Sequence, residues 1–169
     1  VSDSSCDLGR ERAKELGVTL VSFYVSFDGE NYYREEQDIT NREFYQQMAD
    51  RPGVFPRTSM PTVEDYLTVL RPMVERGEPV LCVCLNAPFS GSFQAARNAR
   101  SLLMEEFPRA EVCVLDSQLA TVLQGVLVLE AVHLRDAGVS LAAAAAQLES
   151  NRKTGRIFFT TNDLSLIHI

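Results

Sequence analysis

Apolar and polar positions alternate along this chain in blocks that predict strands separated by helices. Residues 80–85 are a short continuous apolar run, the pattern of a strand covered on both faces, and 110–115, apolar apart from Glu111, predict another buried strand. Residues 18–27 are rich in Val, Phe, Tyr and Ser and stop at the turn Asp28-Gly29, which predicts another strand. Helices are predicted over 7–16, ended by Gly17, and over 40–49, where Thr40 and Glu43 form a capping box. A third, capped by Thr62, reaches residue 76, and Pro72 is expected to kink or restart it because it lacks the intrahelical donor. Further helices are predicted over 93–106, 119–137 and 141–148, with a final strand over 156–161. The prolines and glycine between Pro52 and Pro61 predict a loop. Strands joined through helices imply right-handed crossovers and a mostly parallel sheet flanked by helices, an α/β fold.

Composition narrows the function classes. Apolar residues make up 46% and charged residues 23% of the 169 positions, the balance of one globular domain. A net charge of −7 argues against a nucleic-acid binder, which presents a basic face. No run is long and apolar enough for a membrane span: 117–129 is too short, and 79–96 is interrupted by Asn86, Pro88, Ser90 and Gly91. The start Val1-Ser2-Asp3 leads into a charged helix, so no signal peptide and a cytoplasmic location are expected. The four cysteines, Cys6, Cys82, Cys84 and Cys113, include no Cys-x-x-Cys pair, and with two histidines they offer no zinc site. Cys82, Cys84 and Cys113 lie in apolar runs as small hydrophobes, whereas Cys6 follows two serines and is the candidate reactive thiol. Residues 164–169 abandon the preceding pattern and match the translation of a sequencing adapter; they are expected to be foreign to the fold. That removes His168 and leaves His133, on an apolar helix, with a packing or surface role.

In a parallel α/β sheet, ligands bind beyond the carboxyl ends of the strands. Four segments rich in hydroxyls precede helices here: Asp3-Ser4-Ser5, Thr58-Ser59-Met60-Pro61, Ser90-Gly91-Ser92 and Asp116-Ser117. Ser and Asp are ordinary helix caps, but four such loops together predict one site for a small anion. No phosphate loop or dinucleotide glycine motif is present. Ser90 lacks both a nucleophile-elbow context and an evident base, so the segments suit recognition of a carboxylate better than its turnover.

The loops resemble those of the DegV family of bacterial fatty-acid-binding proteins. Ser2-Asp3-Ser4-Ser5-Cys6-Asp7-Leu8 is similar to the family's Thr-Asp-Ser-Ser-x-Asp-Leu, and Thr58-Ser59-Met60-Pro61 to its Thr-Ser-Gln-Pro. Ser90-Gly91-Ser92-Phe93-Gln94 approximates Ser-Gly-Thr-Tyr-Gln, and Asp116-Ser117 its Asp-Ser. Phe27-Asp28-Gly29-Glu30 and Asp38-Ile39-Thr40 fall where the family has them. Asn86-Ala87-Pro88 stands where the family has Ser-Ser-Gly, and Met60 where it has Gln.

The resemblance implies a carrier and not an enzyme. It implies the three-layer α/β/α amino-terminal domain of such a protein over residues 1–163, with its first strand missing and a carboxyl-terminal domain absent. Family members hold a long-chain fatty acid in a tunnel between the two domains and present its carboxylate to a separate fatty acid kinase subunit. That subunit makes an acyl phosphate for phospholipid synthesis. The carboxylate contacts carry over onto Thr58 and Ser90, with Ser59, Gly91, Ser92, Asp3, Ser4, Ser5, Asp116 and Ser117 shaping the site. The fatty acid and the kinase subunit are then the partners, with no cofactor and no metal, and weak lipid retention is expected of this stretch alone. The rival readings are a small serine hydrolase or transferase using Ser90 or Ser4 with Asp3 or Asp116, and an anion- or nucleotide-binding module.

Overall fold

The computed structural model describes residues 1–158. Four parallel strands form the central sheet in the order β2-β1-β6-β7: β1 is Ser2–Asp3, β2 Leu20–Val21, β6 Val80–Cys84 and β7 Val112–Asp116. β6 and β7 pair along their whole length, from Val80 opposite Val112 to Cys84 opposite Asp116. Their alternating side chains feed two separate cores, as expected of a strand buried on both faces. Cys82 and Cys84 face Tyr66, Leu70 and Leu103, from helices α3 (Val63–Glu75) and α4 (Ser92–Glu106). Val83 and Leu115 face Leu127, Val128 and Leu148, from α5 (Thr121–Asp136) and α6 (Leu141–Asn151). α1 (Arg10–Glu15) adds Ala13 to that second core. The result is the expected α/β class, with a parallel sheet between two helical layers.

A second sheet departs from the sequence reading. The single strand expected over 18–27 is two, β2 and β3 (Tyr24–Ser26), which belong to different sheets. β3 lies antiparallel between β4 (Tyr33–Arg34) and β5 (Arg57–Ser59), so the segment expected to be a proline-rich loop contains a strand. β4 and β5 are short and exposed, and their pairing with β3 makes them strands where local pattern does not. The expected first helix begins later, at Arg10, after a 3-10 turn over Ser4–Cys6. Asp3-Ser4-Ser5, read as a loop, divides between the end of a central strand and that turn. α3 runs through Pro72 without restarting. The expected capping box of Thr40 with Glu43 forms at the start of α2 (Asn41–Asp50), and the expected cap Thr62 forms one too, with Asp65, at the start of α3. Residues 156–158 carry no strand; the rest of the strand expected over 156–161, and residues 164–169, lie outside the described residues.

Candidate functional site

From β1 the chain crosses to β2 on one side, whereas β6 crosses to β7 on the other, so the sheet changes direction between β1 and β6. In open α/β sheets the crevice beyond the carboxyl ends at that switch point is where ligands bind. The two segments leaving it are Ser4-Ser5-Cys6 and the loop from Leu85 to Gly91.

Asp3, the last residue of β1, is fully buried and sits beneath both. Its Oδ2 accepts the Leu85 N–H at 2.9 Å and the Ser92 hydroxyl at 2.8 Å. Its Oδ1 accepts the Gln124 Nε2–H at 2.7 Å. The Ser5 hydroxyl lies 2.6 Å from that oxygen and 2.8 Å from Gln124 Oε1, so its one proton serves either acceptor. Because Ser92 donates to the carboxylate, it must accept from the Tyr66 hydroxyl at 2.7 Å. Tyr66 is fully buried, and burial pushes its phenol far above its ordinary pKa, which keeps it a donor. Beyond it lie the Cys84 and Cys82 thiols, 3.7 Å apart. Contact with Cys82 and then burial raise the Cys84 thiol, and burial raises Cys6, so the candidate reactive thiol is an inert core group.

Thr58 and Ser90 present hydroxyls outward. Thr58 lies on exposed β5, and neither its side chain nor that of Ser59 makes a hydrogen bond among the described residues. Ser90 is half-buried, and its Oγ accepts the Ser92 N–H at 3.2 Å. Its proton has no acceptor among the described residues, so it is free to donate. Gly91 caps α4 without a side chain of its own, and the first amide of that helix, Ser92 N–H, is the one taken by Ser90 Oγ. Met60 joins the two segments: a Cβ at Gly91 would meet its sulfur at 2.5 Å. Met60 and Phe89, 44% and 56% exposed, put apolar surface beside these donors.

The remaining predicted residues support the loops. Asp116 Oδ1 accepts the Ala87 N–H at 3.1 Å, inside the loop leaving β6, and the Gln118 N–H at 2.9 Å. Ser117 is fully buried, and its hydroxyl bridges the Leu119 backbone. Ser4 donates to Glu35 at 2.7 Å and accepts the Phe23 N–H, tying the central sheet to the small one. Burial first, then the nearby Asp7, raises the Glu35 carboxyl. Sequence reasoning missed Glu35, Tyr66 and Gln124; the last had a readable signal, a lone amide in the apolar stripe of α5. His133 is exposed on α5, and no described cluster of His, Cys, Asp and Glu could hold a metal. A cavity of about 270 Å³ lies toward the amino ends of the strands, lined by Val18, Leu81, Val83, Val128 and Val132 among others, and none of the predicted site residues lines it.

Hydroxyls without an acceptor among the described residues, flanked by apolar surface, lie at the switch point where ligands of open α/β sheets bind, and the architecture is that of an α/β domain. The family model described as "Uncharacterised protein, DegV family" matches residues 1–168, and the chain belongs to the DegV family. A DegV domain-containing protein of Halalkalibacterium halodurans is 32% identical over 99% of this chain and 58% of its own length. One from Clostridium acetobutylicum is 30% identical over 97% of this chain and 56% of its own length. Among solved structures, a stearic-acid-binding protein from Eubacterium ventriosum is 47% identical with a TM-score of 0.83, over 88% of this chain and 50% of that one. A fatty-acid-binding DegV family protein from Thermus thermophilus is 37% identical with a TM-score of 0.75, over 90% of this chain and 52% of that one. The chain thus spans about half the length of the proteins it matches.

Proposed function

We propose that this chain binds the carboxylate of a long-chain fatty acid through the hydroxyls of Thr58 and Ser90. Ser59, Gly91 and Ser92 shape that site; Asp3, Ser4, Ser5, Asp116 and Ser117 hold its loops. The observation that carries this reading is the approach of Met60 to Gly91, which joins two segments bearing hydroxyls whose protons have no acceptor among the described residues. Carboxylates take strong hydrogen bonds from such donors, and buried methylenes of the chain contribute about 0.8 kcal/mol each. The similarity to a stearic-acid-binding protein of Eubacterium ventriosum and a fatty-acid-binding DegV family protein of Thermus thermophilus supports a fatty-acid ligand.

The acid-loaded protein then offers its carboxylate to a separate fatty acid kinase subunit, which transfers phosphate from ATP. Ser90 itself is not the nucleophile in this reading, because the carboxylates of Asp3 and Asp116 are engaged elsewhere and no base meets its hydroxyl among the described residues.

Amide NMR of the chain titrated with octanoate, which stays monomeric, tests the reading. Saturable shifts confined to residues 58–60 and 90–92 support it. Shifts there with inorganic phosphate or a nucleotide, and none with octanoate, favour an anion module instead.

A further inference from the structure

We propose that Asp3 is the positioning residue of this site: a buried carboxylate that staples the two ends of the Ser90-bearing loop. The inference rests on the carboxylate-binding reading above. One oxygen, Oδ2, accepts from Leu85 N–H, just before the loop, and from Ser92 Oγ, just after it. Both ends of Asn86 to Gly91 thus meet on one atom of the central strand, while Leu119 O and Asp116 Oδ1 hold only its first two amides, Asn86 and Ala87. The other oxygen takes Gln124 Nε2–H, with Ser5 beside it, so the carboxylate cannot swing away.

The staple acts on Ser90 through Ser92. Ser92 hydroxyl is fixed as a donor to Asp3, which sets the position of its backbone, and Ser92 N–H in turn occupies a lone pair of Ser90 Oγ. With that lone pair filled and no acceptor for the proton among the described residues, the Ser90 O–H is left for a ligand carboxylate to accept. A carboxylate is needed for this, because both groups facing Oδ2 are donors. An amide at this position puts an N–H against one of the two pairs of donors around it.

No cation neutralises Asp3 among the described residues, and four neutral donors surround it. An uncompensated charge is costly to bury for packing alone, which an apolar side chain would serve as well. Its presence at the sheet switch point is accounted for by what it holds in place.

The test compares Asp3→Asn and Ser92→Ala with Leu148→Val, a core change on the opposite face of the sheet. Amide order parameters of residues 87 and 89–92 are measured first, without ligand. The staple predicts a fall from about 0.85 to below about 0.6 in Asp3→Asn and Ser92→Ala only. Octanoate affinity then falls about ten-fold in both and stays unchanged in Leu148→Val, the equivalent of one charge-assisted hydrogen bond. Should Asp3→Asn fail to fold, Ser92→Ala alone decides. An ordered loop in Ser92→Ala overturns the staple. If the wild type takes no octanoate, the carboxylate reading fails, and the order parameters still judge Asp3.

Discussion

Helix α5 crosses the Ser4–Cys6 turn so closely that Gly125 has no room for a side chain. A Cβ there would stand 2.4 Å from the Cys6 carbonyl oxygen, where ordinary contact starts at 3.4 Å. Gly125→Ala therefore forces helix and turn about 1 Å apart, and the obstacle is backbone, which cannot rotate aside. Two effects compete. Alanine improves a helix interior by about 1 kcal/mol over glycine. Overpacking a filled site costs about 1–3 kcal/mol. Because the clash is with main chain, the overpacking cost falls in the upper part of that range, about 2–3 kcal/mol, and the net loss is about 1–2 kcal/mol. For a chain of this size that lowers Tm by about 2–8 °C. Thermal unfolding followed by circular dichroism measures it. A Gly125→Ala protein as stable as the parent, or more so, would refute the close approach and with it the placement of Ser4 and Ser5 under the site.

Other changes probe the site from different sides. In Gly91→Ala the new methyl must displace the Met60 sulfur, the movable end of a half-exposed side chain, so stability changes by less than about 0.5 kcal/mol. The amides of residues 58–60 are nevertheless predicted to shift, and Met60→Ala in the same background to abolish that response; an unmoved spectrum contradicts the contact. Glu35 titrates in the opposite sense to most carboxylates: its folded pKa is raised by burial above the ordinary 4.5. The folded state binds the proton more tightly, so stability is lost as pH rises from 4.5 through the folded value. Glu35→Gln, which keeps an acceptor for Ser4, is predicted to be more stable than the parent at pH 7 and to lose that advantage below pH 4.5. Urea unfolding at the two pH values checks this, and a gain that persists at low pH contradicts it. Leu103→Ala empties a fully buried position between α4 and the sheet and is predicted to cost about 2–5 kcal/mol in the same assay.

The central sheet was legible because burial on both faces writes itself as continuous apolar runs, as in β6 and β7. The capping box at Thr40 and the cap at Thr62 were legible because they are local chemistry. β4 and β5 were not: Tyr33–Arg34 and Arg57–Ser59 are exposed and polar, and they are strands only because β3 lies between them. The division of residues 18–27 between two sheets was hidden for the same reason, since no local signal marks where a strand leaves one sheet for another. For the site, the hydroxyl loops could be read as a set, but their roles could not. Asp3 looked like a helix cap, yet its carboxylate caps nothing and reaches instead to Leu85 and Ser92, more than eighty residues away. Ser117 and Ser4 looked equivalent to Ser90, and their hydroxyls turn out to be engaged inside the protein. Which hydroxyls stay free depends on partners that only the folded chain brings near.

The claim that Thr58 and Ser90 receive a fatty-acid carboxylate is tested most directly by octanoate titrations of Thr58→Val and Ser90→Ala beside the parent. Each variant removes one donor to a charged group, which weakens binding by about ten-fold or more while the spectrum elsewhere stays unchanged. Parent-like affinity in both variants would contradict the account.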